Sequence, residues 1–250
     1  MSVTLDQPVQ RLLEMLAAQP ARRYVLALAG LPGSGKSTAA LRWTDAVNAA
    51  AGEGSMVALS MDGFHLTKAQ LSAMPDPAAA FRRRGSPWTF DPAGLAHKLG
   101  QICAQGTDAP AVSWPGFEHD VGDPVPDAVQ VSAGTRLILV EGLYLLHLEH
   151  GWDVAAGFDE RWFLDVPMDV AMERLVQRNM RAFGQTREQT LARMAENDRL
   201  NAELVLPSRA RADVWVVEQE AATRASATTA SSHHASGRPQ AAASITPPNS

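Results

Sequence analysis

Residues Gly30 to Ser37 read GLPGSGKS, and the six residues before them, Tyr24 to Ala29, read YVLALA. A compact apolar run that ends on glycine has the character of a strand buried on both faces. From Lys36 to about Ala50 the chain reads as a helix. Strand, glycine-rich turn and helix in that order are the setting in which G-x-x-x-x-G-K-[ST] cradles phosphate. Gly33 and Gly35 permit backbone angles at which successive N–H groups converge on an anion, and the new helix adds its positive end. The expected nucleotide site is therefore Gly30, Leu31, Pro32, Gly33, Ser34, Gly35, Lys36, Ser37 and Thr38. Lys36 would reach the outer phosphates of ATP, and the Ser37 hydroxyl would ligate the Mg2+ that bridges them. The competing reading is a glycine-rich turn that binds nothing; the flanking strand and helix weigh against it.

Outward from this stretch, short apolar runs recur at Met56–Met61, Leu137–Val140, Trp162–Val166 and Val214–Val217. Helical spacing occupies residues 8 to 19, the stretch opened by Asp91 and Pro92, Val170 to Arg181 and about Thr186 to Leu200. Asp91 suits an N-cap and Pro92 the first helical position. Residues 105 to 135, rich in Pro, Gly and Asp, read as loops with a short hairpin. Strands alternating with helices predict an α/β fold with a parallel sheet covered on both faces. From Ala221 the composition turns to Ala, Ser, Thr, Pro and His, too poor in large apolar groups to offset its ordering entropy. The expected organisation is one domain over 1–220 and a disordered tail over 221–250.

The bulk numbers exclude little and direct much. With 250 residues and 46% hydrophobic content the chain can bury a sizeable core. Its formal charge of −5 gives no reason to expect nucleic acid. Cys103 is the sole cysteine, so no internal disulfide forms and a reducing compartment is expected. The first twenty residues lack the pattern of a signal peptide, and no apolar run is long enough to span a bilayer. A cytoplasmic protein without membrane partners is the expectation, and a homodimer is one reading of its assembly.

Phosphate binding alone does not name a reaction. The chain contains no Asn-Lys-x-Asp for guanine and no LSGGQ-like signature. Two strand-ending acids say more. Glu141 closes LILVEG, where strand ends of an open parallel sheet face one crevice, and can hold magnesium with Ser37. Asp62 follows the other acidic strand. If both strands flank the strand of the phosphate loop, two carboxylates stand at the terminal phosphate. Asp62 could then take the proton of an attacking hydroxyl, join the metal shell, or cap a turn. Arg178 and Arg181 lie about one helical turn apart in RLVQRNMRAFG and suit a lid over about 178–200 that neutralises the transferring group and excludes water; a solvated helix face is the alternative. Arg174 shares that face. For the acceptor side the candidates are His65, Arg83, Arg84, Phe117 and His119, with Trp88 as a further pocket aromatic. Each has an ordinary structural reading: solvated arginines, packed aromatics, core or surface histidines.

Taken together, GLPGSGKST, MDGFH, RRGSPWTFD, VEGLYLL and RLVQRNMRAFG with LPSRARADVWV resemble the uridine kinase, pantothenate kinase and phosphoribulokinase superfamily. The nearest branch is the bacterial nucleoside/nucleotide kinase family often labelled fructose-transport-system kinase. The resemblance runs from about Arg23 to Val217 and implies a P-loop NTPase fold with a five-stranded parallel sheet, helices on both faces and a short helical lid. It further implies Asp62 as the base on the acceptor hydroxyl, Glu141 as a magnesium-site residue, and Arg178 and Arg181 as lid arginines on phosphate. WPGFEHD, at 114 to 120, matches the acceptor segment of uridine and pantothenate kinases only loosely, and the tail after Glu220 matches nothing in the family.

The expected activity is ATP-dependent transfer of the γ-phosphoryl group to a hydroxyl of a small metabolite, such as a nucleoside, a sugar or a pantothenate-like compound. Two rivals remain: a nucleotide-gated regulatory ATPase acting on a protein partner, and a nucleoside monophosphate kinase in which Arg83 and Arg84 bind the acceptor's phosphate. A binding module without catalysis fits poorly with Asp62 and Glu141.

Overall fold

A computed structural model describes residues 1–106, 109–118 and 120–218. His119 and the tail from 221 onward therefore lie outside the described residues. Among the described residues eight strands form: β1 (Ser2–Thr4), β2 (Tyr24–Gly30), β3 (Met56–Ser60), β4 (Val112–Glu118), β5 (Asp123–Val131), β6 (Leu137–Gly142), β7 (Glu160–Asp165) and β8 (Val214–Val217). The helices are α1 (Gln7–Ala18), α2 (Lys36–Ala51), α3 (Lys68–Ser72), α4 (Pro77–Arg82), α5 (Pro92–Ala104), α6 (Met168–Phe183), α7 (Arg187–Glu196) and α8 (Asp198–Val205).

Six strands make one parallel sheet in the order β1-β8-β7-β2-β6-β3. The expected count was five; the sixth is β1, three residues at the sheet edge that pair with β8. So short a strand, with one of its three side chains buried, leaves almost no alternation to read. β2 and β6 are buried along their whole lengths, as central strands covered by helices must be. Hydrophobic packing runs continuously from Val3 through Trp43, Leu139 and Trp162 to Val216. The topology changes one premise about the acids. β6 is the direct neighbour of β2, whereas β3 lies one strand further out, with Ser60 opposite Glu141.

Other departures are local. The segment between α5 and β6 holds a long antiparallel hairpin, β4–β5, with an irregularity between Trp114 and Gly116. The helix expected over about 186–200 is two helices, α7 and α8, parted at Asn197 (φ −137°, ψ −70°). Thr186 and Gln189 close a capping box at the start of α7. Asp91 caps α5 by accepting from the Gly94 N–H at 2.9 Å, with Pro92 at the first position. Among the described residues no helix is long and apolar enough to cross a membrane.

Candidate active site

The loop between β2 and α2 takes its shape from two left-handed glycines. Gly33 has φ +77°, and a Cβ there would meet the Ala171 carbonyl oxygen at 2.2 Å, so the loop lies directly on α6. Gly35, at φ +93°, starts α2 with nothing within 4 Å of a Cβ position. Its open side faces a cavity of about 490 Å³, walled by Pro32, Gly33, Gly35, Lys36, Ser37 and Thr38 on one side. Gly30, Leu31 and Ser34 are buried beneath the loop.

Lys36 is buried, and its ammonium donates to the Leu31 carbonyl at 2.9 Å. Burial lowers its pKa, while Glu141 and Asp62 oppose the shift. Glu141, at the end of β6, accepts from the Ser37 hydroxyl at 2.9 Å. Burial pushes the Glu141 pKa up and Asp62 adds to the rise; Lys36 and hydrogen bonds from Ser37 and Ser60 pull it down. An open cradle of loop amides, a buried lysine and a hydroxyl–carboxylate pair make a donor set that fits a polyphosphate with a bound Mg2+.

Asp62 stands on a 3-10 turn, Met61–Phe64, that continues β3. Its N–H donates to Ser60 Oγ at 3.2 Å, and its carbonyl accepts from the His65 N–H at 3.1 Å. The turn is clamped from two sides. A Cβ on Gly142 would sit 2.1 Å from Met61 Cγ, and one on Gly63 would sit 2.0 Å from the Pro115 carbonyl oxygen. Trp114, fully buried in the hairpin, donates its indole N–H to the Ser60 carbonyl at 2.9 Å. The His65 ring packs between Phe90 at 3.9 Å and Phe117 at 4.6 Å.

The cavity thus gathers Lys36, Ser37, Asp62, His65, Arg84, Glu141 and Arg178, residues spread over 143 positions of sequence (178 − 36 + 1). Phe117, Arg83 and Arg181 are not on its wall. Phe117 backs His65; Arg83 donates to Ser86 Oγ at 2.9 and 3.1 Å; Arg181 donates to the Gln177 carbonyl at 3.1 Å on the exposed side of α6. Arg84 is on the wall yet engaged, donating to the Gly122 carbonyl, to the Leu66 carbonyl at 2.9 Å and to Asp123 at 3.1 Å. Arg174 also lines the cavity and grips Glu218 with both terminal nitrogens, at 2.7 and 2.8 Å.

Sequence reasoning missed the α8 side of the cavity: Asn197, Asp198 and Asn201. Burial pushes the Asp198 pKa up, against the pull of Arg193 and Arg178. The signal was the run NDRLN, whose Asn and Asp favour a helix boundary over a helix interior.

A phosphate loop at the end of a central parallel strand, with an acid on the adjacent strand bonded to the loop's serine, defines the class of P-loop nucleotide-binding proteins. Residues 25–224 match the Phosphoribulokinase / Uridine kinase family, and the chain belongs to that family. It is 42% identical over 153 residues to "ATP-dependent kinase-like protein notR'" of Aspergillus versicolor, covering 60% of this chain and 88% of that one. It is 33% identical over 211 residues to "Putative uridine kinase C227.14" of Schizosaccharomyces pombe, covering 84% and 88%. The crystal structure of a "putative fructose transport system kinase" from Silicibacter sp. TM1040 superposes with a TM-score of 0.73 at 33% identity, covering 85% of this chain and 98% of that one. The protein is an ATP-dependent kinase that phosphorylates an alcohol group.

Proposed function

We propose that the protein transfers the γ-phosphoryl group of ATP to a hydroxyl of a small cytoplasmic metabolite, with Asp62 as the base. The observation that carries this reading is the shared cavity: Asp62, Glu141 and the phosphate loop line the same space of about 490 Å³, and Glu141 is bonded to Ser37. Lys36 and the loop amides would hold the phosphates. Ser37 and Glu141 would hold Mg2+, which supplies charge neutralisation at the phosphates. Asp62 orients the attacking hydroxyl and accepts its proton as bond formation makes it acidic. Arg178, on the cavity wall, balances charge on the transferring group, and α8, which lines the cavity through Asp198 and Asn201, keeps water from competing as acceptor. Catalysis is then mainly positioning and electrostatics.

The direct test is ADP release with ATP and Mg2+ against nucleosides, pentoses, hexoses, pantothenate, glycerate and nucleoside monophosphates. A kinase responds strongly to one acceptor class, and Asp62→Asn should lower that turnover by about 10²- to 10⁴-fold while nucleotide binding persists. Slow release indifferent to every addition would fit a regulatory ATPase instead.

A further inference from the structure

Besides the phosphate loop, Lys36 and Arg178, the cavity wall carries Asp62, His65, Arg84, Phe90 and Asp198. The positive charge of Arg84 is already answered there by Asp123 and by the Leu66 and Gly122 carbonyls. Arg83, its neighbour in sequence, is held by Ser86 behind the wall. Asn197 donates to the Arg84 carbonyl at 2.7 Å and Asn201 to the Gly85 carbonyl at 3.2 Å, which fastens the start of α8 to the 84–85 segment. Asp198, between these two residues in sequence, lies on the cavity wall. Its carboxylate feels Arg178 and Arg193 at a distance but makes no ion pair and no hydrogen bond to another side chain among the described residues. Arg193 is itself stacked over Phe183 at 4.5 Å.

We propose that Asp198 is a specificity-determining residue of the acceptor site, accepting hydrogen bonds from a hydroxyl or ammonium group of the acceptor other than the reacting hydroxyl, and thereby selecting acceptors without an anionic group at that position. A phosphate or carboxylate placed against Asp198 meets a like charge, and Arg84, on the same wall, is committed to Asp123. A polyol or amino compound supplies the donors that this half-buried carboxylate lacks. The inference rests on the kinase reading and narrows it.

The test pairs neutral nucleosides, sugars and amino sugars with their phosphorylated counterparts, pantothenate and glycerate, in the ADP-release assay with intact protein. Stimulation by a neutral or amino member, and not by its anionic counterpart, is expected. For that compound Asp198→Asn should raise KM about tenfold or more, as loss of a charged hydrogen-bond acceptor does. The KM for ATP and the melting temperature should stay near wild type, and Asp198→Glu should recover part of the loss. Asp198 also lies in the first turn of α8, where an acid favours the helix; a role confined to that would lower the melting temperature and leave the acceptor KM unmoved. Preference for an anionic acceptor, or an unmoved acceptor KM in Asp198→Asn, overturns the inference and leaves the kinase standing. Failure of every member, anionic or not, to stimulate removes the kinase reading and the inference with it.

Discussion

Replacing Gly63 by alanine tests whether the β4–β5 hairpin sets the position of Asp62. The added Cβ would lie 2.0 Å from the Pro115 carbonyl oxygen, 2.5 Å from its carbon and 3.1 Å from the Gly116 nitrogen. All three atoms are backbone, so no side chain can swing aside. Gly63 is not among the positive-φ glycines, and the difficulty is crowding alone. Reaching even 3.0 Å from the oxygen requires the two backbones to part by 1.0 Å (3.0 − 2.0). Neither side is free to yield. Met61 is fully buried against Gly142, and Trp114 is buried and bonded to the Ser60 carbonyl. Overpacking of this kind costs about 1–3 kcal/mol in stability. A misplacement of about 1 Å at a reacting group costs on the order of 10²-fold in rate. Gly63→Ala should therefore lower kcat about a hundredfold. It should melt earlier and still bind nucleotide like the wild type, because the loop of 30–38 is untouched. The assays are ADP release under saturating acceptor, thermal melting, and titration with a non-hydrolysable ATP analogue. Wild-type kcat in a folded Gly63→Ala protein would refute the reasoning: either the hairpin does not position Asp62, or Asp62 is not the base.

Two further outcomes follow from the charges. Glu141→Gln should raise the Mg2+ concentration for half-maximal turnover about tenfold or more. In the wild type the same requirement should grow as pH falls through the raised Glu141 pKa, because the metal takes the ionised carboxylate; a Mg2+ requirement identical in the two proteins would exclude Glu141 from the metal site. Between two helices, Arg187 holds Glu173 down to about 2 through a two-nitrogen ion pair that joins α6 to α7. A depressed folded pKa contributes stability above the ordinary value of 4.5 and loses it as pH falls toward 2. Unfolding measured against pH should show wild type and Glu173→Gln differing above that window and converging below it; a difference independent of pH would mean the pair contributes through packing instead.

What could be read from the chain and what could not divides along a physical line. The phosphate loop was legible because strand, glycine turn, lysine and helix are contiguous, and each residue type is demanded by backbone geometry at its own position. Glu141 was legible because a buried strand of a parallel sheet leaves few places for an acid except its end. Asp62 was legible as a strand-end acid, but its distance from the loop depended on sheet order, which no local pattern encodes; β3 sits beyond β6, and a 3-10 turn carries Asp62 back toward the cavity. The surroundings of Arg84 were illegible for a different reason. In the run FRRRG nothing distinguishes Arg84, on the cavity wall and paired with Asp123, from Arg83, behind it and bonded to Ser86. Which arginine is spoken for is decided by partners 39 and 3 residues away, respectively. The same holds on the other wall, where Asn197 and Asn201 spend their amides on the carbonyls of residues 84 and 85 and so leave Asp198, their neighbour in sequence, facing the cavity. If Asp198 acts as proposed, acceptor choice in this cavity follows from which charges the fold has already neutralised, Arg84 by Asp123 among them, and not from a count of basic residues near it.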